Sequence, residues 1–534
     1  MMKLIVAAAL ILGCLASGQP VWPSKWDELE DIYTMHSGYL RRGFSDAVNP
    51  CTFGSNAQGR QNSAEWIRTA FHDMATHDAK AGGGGLDASI FFELDRAENI
   101  GSAFNNTFGF FYGYHSVRVS ASDLIALGVA TASNACGGPK VEVRGGRVDA
   151  SEAGPAGVPE PSTDIDTTTA TFEKAGFSKQ DMIAMVACGH SLGGVHSADF
   201  PEIVDIPADP KNDTNVPFQK DVSQIHNGVV TEFLEGTTKN PLVVASNDTL
   251  NSDKRIFDAD RKFMTEMADK ETFEATCGDI FTRMIDAVPK NVELIDIDPY
   301  DVKPYVDELS VDSNGDLSFK GKIRMRTTTG AGRDQDDLAI KLMYADNNGE
   351  GRTVINTTRA TYQGGSTAGL HGEHFVSFEF DATIKAESGI SKFWIQETVP
   401  STNETKTHDN QGSGGYPVQD TVVLQLSDSC LNTDAIVDDK IPLSIIAMVR
   451  KQQASNPLTL NVVHKVPRNG VVVPQLETEV TQFEATGDEK NGWLAYRAQT
   501  EVTGFTTFDI VLGGEAPKAV EFQRTGALPT SCSG

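Results

Sequence analysis

Residues 63–73 read Ser-Ala-Glu-Trp-Ile-Arg-Thr-Ala-Phe-His-Asp. Arg68 and His72 stand four apart, so on a helix both project from one face. Imidazole takes and returns a proton near neutral pH. A guanidinium stays charged and stabilises negative charge as it develops. Together they suit heterolysis of a peroxide O–O bond, in which one oxygen is deprotonated and the other leaves as an anion. Ala64, Ile67, Ala70 and Phe71 recur at helical spacing, so the periodicity predicts an amphipathic helix over about Ser63–Thr76 that carries the pair.

Downstream, Asp73 is followed by Gly82-Gly83-Gly84-Gly85-Leu86-Asp87-Ala88-Ser89. Glycines permit tight turns that expose carbonyls. Asp73, the Gly85 carbonyl, Asp87 and Ser89 offer the hard oxygen ligands that Ca²⁺ takes. A later apolar run, Asp181 to Gly194, carries one imidazole, His190, near its end, where a histidine is more often a satisfied core residue than a ligand.

The order and spacing of these stretches resemble the haem peroxidases of plants, fungi and bacteria, with secreted fungal members as the nearer type. Arg68-x-x-Phe71-His72-Asp73 resembles the distal motif of that family, and 181–194 its proximal motif. The resemblance covers residues from about 25 to 290. It implies an all-α domain that binds haem b through His190, with His72, Arg68 and Phe71 on the distal side. It also implies that Asn99 accepts the His72 Nδ1–H, that Phe218 lies beside the proximal ligand, and that Asp73, Gly85, Asp87 and Ser89 form a distal calcium site. Gly146-Arg147-Val148-Asp149 and Val158-Pro159-Glu160-Pro161 resemble stretches near the haem propionates and substrate entrance.

The departures from the family are specific. The carboxylate behind the proximal histidine falls by register at Asn247 with Asp248 adjacent, and Asp248 is the expected partner. A buried Asn247 would exclude a glycan on its sequon. Ser191 stands where a second, proximal calcium site begins, but 218–226 lacks the acids such a site needs. Manganese oxidation in the family uses three acids; here Glu65 fits one, with Gln61 and His196 at the others. Met185 replaces the surface tryptophan of lignin-oxidising members. The implied reactants are therefore H₂O₂ and small aromatic, phenolic electron donors.

The chain opens Met-Met-Lys, then Leu4–Leu15 almost wholly apolar, then Ala16-Ser17-Gly18, the pattern of a signal peptide over 1–18 and of a secreted, extracellular product. No later run is long and apolar enough to span a bilayer. Beyond Cys14, Cys51, Cys136, Cys188, Cys277, Cys430 and Cys532 make an even set for disulfides. The family implies Cys51–Cys136, Cys188 can reach Cys277 on a later helix, and Cys430 and Cys532 remain to staple the C-terminal part. Asn105, Asn212, Asn247, Asn356 and Asn403 begin glycosylation sequons. A formal net charge of −28 argues against nucleic acid or an anionic membrane as partner.

From about residue 295 the period changes to two, as in 317–325, 375–380, 422–426, 471–473 and 505–511, with Asn314-Gly, Asn348-Gly and Asn469-Gly as turns. The expected organisation is a haem peroxidase domain over 19–294 and a β-sandwich-like domain over 295–534. Trp394, Tyr416, Trp493 and Tyr496 offer rings for a carbohydrate or cell-wall contact, with core packing as the alternative. The rival functional reading is a secreted, non-catalytic binding protein on a peroxidase scaffold whose function resides in the β domain.

Overall fold

The helix bearing Arg68 and His72 forms at Asn62–Met74, because Trp66, Ile67, Ala70 and Met74 give it a buried stripe. The computed structural model describes residues 20–54, 59–206, 209 and 213–532. The expected signal peptide and the Asn212 sequon lie outside the described residues. Helices of the N-terminal part are α1 (Asp27–Thr34), α2 (Asn62–Met74), α3 (Ala103–Phe111), α4 (Ala121–Ala135), α5 (Ile165–Lys174), α6 (Lys179–Gly189), α7 (Pro201–Val204), α8 (Gly228–Glu235), α9 (Pro241–Val244), α10 (Ser252–Asp258), α11 (Arg261–Met267) and α12 (Lys270–Ile285). Every residue of α4 from Ala121 to Ser133 is buried, so α4 is the central helix, enclosed on all sides. The Ser120 side chain caps its N-terminus by accepting from Asp123 N at 3.0 Å.

Disulfides join Cys51 to Cys136 at the end of α4, and Cys188 on α6 to Cys277 on α12. The third joins Cys430 to Cys532 in the β region. The first matches the pairing that the family implies, the third the expected staple, and the second realises the pairing left open for Cys188. Among the described residues, no helix is long and apolar enough to cross a membrane.

The C-terminal part holds two packed sheet pairs rather than one. In the first, the strands Val302–Val311, Leu317–Arg326 and His374–Ile384 face a sheet built on Ala339–Ala345 and Lys392–Val399. Leu317, Phe319, Phe378, Phe393 and Ile395 fill the space between. In the second, Ile441–Arg450 and Trp493–Val502 face Leu458–Arg468 and Thr507–Leu512, over Leu443, Ile445, Leu460 and Ile510. The strand Ile441–Arg450 buries both faces, since its Met448 belongs to the first core and its Ala447 and Val449 to the second. That double burial is why it reads as a nearly continuous apolar run.

The first helix of the N-terminal segment ends at Thr34. After α1 the segment becomes a strand, Ser37–Gly38, paired with Thr367–Ala368 of the β region. A side chain at Gly38 would meet the Ser366 carbonyl at 2.2 Å, so only glycine allows the approach. A buried ion cluster lies beside this pairing. Lys303 donates to Glu30 at 2.8 Å and to Asp31 at 2.7 Å, Arg324 pairs with Glu30, and Tyr305 donates to Asp31 at 2.7 Å. Trp394, Tyr416 and Trp493 are buried, and Tyr496 is half-buried against the second core, so these rings are packing residues rather than a carbohydrate platform.

Candidate active site

Four residues per turn-plus-a-bit place Arg68 and His72 together on α2, and Arg68 Nε donates to His72 Nε2 at 3.3 Å. The other ring nitrogen, Nδ1, meets Asn99 Oδ1 at 2.8 Å. Asn99 Nδ2 donates to the Glu93 carbonyl at 3.0 Å, so Asn99 presents its oxygen to the imidazole. His72 therefore carries its proton on Nδ1 and leaves Nε2 as the acceptor. Burial, and then the Arg68 charge, hold His72 down to about 3. Burial also lowers Arg68, to about 10, against the opposing pull of Asp199 and Glu65. Phe104 of α3 lies under both groups, 5.0 Å from the His72 ring and 4.8 Å from the Arg68 guanidinium. Arg68 Nη2 donates to the Ile100 carbonyl at 3.0 Å. Phe71 stacks on Phe172 of α5 at 5.8 Å. Asn99 sits in a short 3-10 turn, Ala97–Asn99, rather than in a full helix.

His190 caps the C-terminus of α6, a helix begun by the reciprocal Ser178–Asp181 capping box. Phe218 stacks on the His190 ring at 4.1 Å. The carboxylate behind His190 is Asp253, whose Oδ2 lies 2.8 Å from His190 Nδ1 and also accepts from Asn240 at 2.7 Å. This corrects the expectation of Asp248. Asp248 opens an exposed 3-10 turn with its side chain 88% exposed, while Asp253 lies five residues on, buried in the first turn of α10. Asn247 caps that same exposed turn through Thr249, so its sequon and the proximal site do not compete. The missed signal was Asn251-Ser252-Asp253 before the apolar Ile256-Phe257, a helix start that turns an acid inward. The two imidazole-bearing helices are tied by Gln61, which accepts from Gly193 N at 2.8 Å, and Gly193 at φ +71° lies against Ala64.

On the calcium-type loop, Asp73 is fully buried and accepts from Ala88 N at 2.7 Å and Ile90 N at 3.0 Å. Burial, then the Asp87 charge, push Asp73 well above the usual carboxylate range, and burial and Asp149 raise Asp87. Among the described residues, Ser89 Oγ is buried without a hydrogen-bond partner. A side chain at Gly85 would meet the Ala287 carbonyl at 2.3 Å, so the loop requires that glycine. Two buried like charges beside an orphaned hydroxyl fit a hard divalent cation. Ser191, by contrast, donates its hydroxyl to the Cys188 carbonyl at 2.7 Å. Among the described residues, no group of three or more His, Cys, Asp or Glu side chains is arranged to hold a metal.

Glu65 is pushed up to about 7 by burial and lies 3.7 Å from Arg60, which also pairs with Asp199 at 2.9 Å. His196 Nδ1 pairs with Asp213 at 2.6 Å. Arg147 points into the core, joining Asp123 at 3.1 Å to the Ile285 carbonyl at the end of α12. Its role is to hold α4 against α12.

A family model described as "Peroxidase" matches residues 53–274. Residues 53–274 form a domain of the haem peroxidase superfamily. It is 37% identical to a WSC domain-containing protein of Arthroderma benhamiae over 99% of this chain and 70% of that protein. Peroxisomal L-ascorbate peroxidase 5 of Arabidopsis thaliana is 31% identical over 35% of this chain and 64% of that protein. Mitochondrial cytochrome c peroxidase of Emericella nidulans is 32% identical over 24% of this chain and 38% of that protein. These two peroxidase relatives therefore match about a third of this chain or less, whereas the Arthroderma relative spans nearly all of it, the β region included.

The superfamily peroxidases bind haem, and the residues present fit it. A carboxylate-backed imidazole at the end of α6, with Nε2 free of hydrogen bonds among the described residues, suits an axial iron ligand. A buried neutral imidazole beside a guanidinium suits the opposite face.

Proposed function

We propose that the chain is a secreted, H₂O₂-dependent haem peroxidase that oxidises small phenolic donors by one-electron steps. The observation that carries this reading is the pair of oppositely prepared histidines: His190 backed by Asp253, and His72 held neutral by burial and Arg68 with its Nδ1 against Asn99. Haem, when bound, would supply an iron centre able to take two oxidising equivalents from peroxide and release them singly. His190 Nε2 would hold that iron, and Asp253 would make the imidazole more anionic. His72 Nε2 accepts the proton of the attacking peroxide oxygen and returns it to the departing one. Arg68 stabilises the negative charge on the departing oxygen. Asp73, Gly85, Asp87 and Ser89 would hold calcium beside this helix.

Secretion is supported by the three disulfides, which persist in oxidising compartments, and by the exposure of Asn105, Asn247, Asn356 and Asn403. The phenolic class rests on Glu65 and His196 being engaged with Arg60 and Asp213 rather than forming a triad of acids for manganese.

The test is stopped-flow absorbance of the haem-loaded protein mixed with H₂O₂ and then a phenol. A rapid Soret shift that the phenol reverses is the expected result. A Soret band indifferent to peroxide would leave the second reading, a binding protein on this scaffold. Similarity across the whole chain to a protein named for a WSC domain favours that reading. Retention of the protein on insoluble polysaccharide, unchanged by Arg68→Leu, is what it predicts.

A further inference from the structure

The hairpin Leu458–Arg468 and Val471–Gln482 belongs to the second sheet pair, yet Val473, just past its turn, is buried in the core of the helical domain. Val473 is 1% exposed and lies in the same core as Phe91, Phe104 and Phe108, with Val471 and Val472 packed at its margin. The turn Asn469-Gly470 is tight, with Gly470 at φ +75°, and Arg468 emerges beside it. The Arg468 guanidinium lies 5.3 Å from the Phe91 ring and 4.9 Å from the Phe92 ring, and is fixed by donating to the Val473 carbonyl at 2.9 Å. Three residues earlier, Lys465 Nζ sits 4.4 Å over the Tyr112 ring and donates to the Tyr112 carbonyl, which closes α3.

Both structures that the tip holds lead to the distal pair. The turn Ser89–Phe92 is anchored on one side by the Asp73 carboxylate, next in sequence to His72. On the other side it continues to Glu93, whose carbonyl fixes Asn99 and so the His72 Nδ1–H. Helix α3 supplies Phe104, which touches His72 and Arg68 directly, and Phe108, which packs edge-on to Phe91 at 5.5 Å. A cation over two aromatic faces resists their displacement. Small displacements of orienting groups are amplified in rate.

We propose that this hairpin is a positioning element of the distal site, with Arg468 as its principal positioning residue, holding Phe91–Glu93 and through them Asn99 and the His72 imidazole. The proposal rests on the peroxidase reading above. It gives the second sheet pair a part in the chemistry that neither its strands nor its aromatics disclose.

The experiment uses the full-length, haem-loaded protein with Arg468→Ala, Arg468→Met and Arg468→Lys. Arg468→Met retains the packed stem and guards against a variant that fails to fold. Hydrogen-exchange mass spectrometry should show faster exchange in 86–99 and 103–112 for the Ala and Met variants, with 179–196 unchanged. The peroxide step should slow on the order of 10- to 100-fold, as loss of an orienting group does. The donor steps should be unchanged, and Lys should restore most of the rate. Exchange and rates equal to wild type would overturn the proposal, and so would exchange rising equally in 179–196, which would mark a general loosening. A wild-type protein that ignores peroxide overturns the peroxidase reading and this proposal together. A reactive wild type with unaffected variants overturns this proposal alone.

Discussion

Asp253 and Asp248 are five positions apart and should behave oppositely. Asp253→Asn removes the charge behind His190 Nδ1 while keeping a polar group there, so the peroxide step should fall about 10- to 100-fold by stopped flow. Asp248→Asn, on an exposed turn, should leave it unchanged. His72→Ala should cost about 10²- to 10⁴-fold and Arg68→Leu about 10²- to 10³-fold in the same step, the usual range for a lost proton carrier and a lost oxyanion partner. The acid side of the pH profile carries a sign. His72 is lowered from 6.5 to about 3. Between those values the unfolded chain binds the additional proton, so the His72 contribution to stability is complete above the upper value and is lost as pH falls through the window. Over most of that window His72 Nε2 remains the free base, and the rate should stay level from roughly pH 8 to roughly pH 4. Arg68→Leu removes one cause of the depression, so its acid limb should move to higher pH.

At the scale of elements, the Gly82–Ser89 loop is the one most dependent on something it would bind. Asp73 and Asp87 are both raised above 3.8, so without a cation the fold loses stability as pH climbs through the carboxylate range. Chelation should therefore lower the melting temperature more at pH 7 than at pH 4, as followed by circular dichroism with and without EGTA. The elements of the candidate site were largely legible beforehand, because α2, α6 and the glycine loop have local signatures: helical spacing, a terminal histidine, glycines where a side chain would collide. Asn99 and Phe218 were legible through family resemblance, and the structure places both against their histidines. Asp253 was not, because the loop between Pro241 and Ser252 has no periodicity to set its length. The two sheet pairs read as one, since alternation along a strand reports which face is buried and not against which partner. Nothing local marks Val473 as belonging to another domain's core, since Val471-Val472-Val473 suits any sheet.

At the scale of the whole molecule, the helical and β parts share an interior. Lys303 and Arg324 are fully buried against Glu30 and Asp31, and Lys303 also donates to the Asp27 carbonyl at 2.7 Å. Removing one member leaves an uncompensated buried charge, so Lys303→Ala should cost about 3–5 kcal/mol by denaturant titration. Lys303→Met together with Asp31→Asn should recover part of that loss, because Arg324 and Glu30 then remain as a matched pair. The same cluster bears on the order in which a ribosome delivers this chain. Glu30 leaves the tunnel early, but its partner Lys303 follows 273 residues later and Arg324 294 residues later. Until they arrive, α1 has nowhere to bury its carboxylates, and the strand Ser37–Gly38 has no edge to join. Domains usually fold one after another as they emerge. Here the first helix of the first domain must wait for the second, so the nascent helical part remains open at its N-terminal end for most of translation.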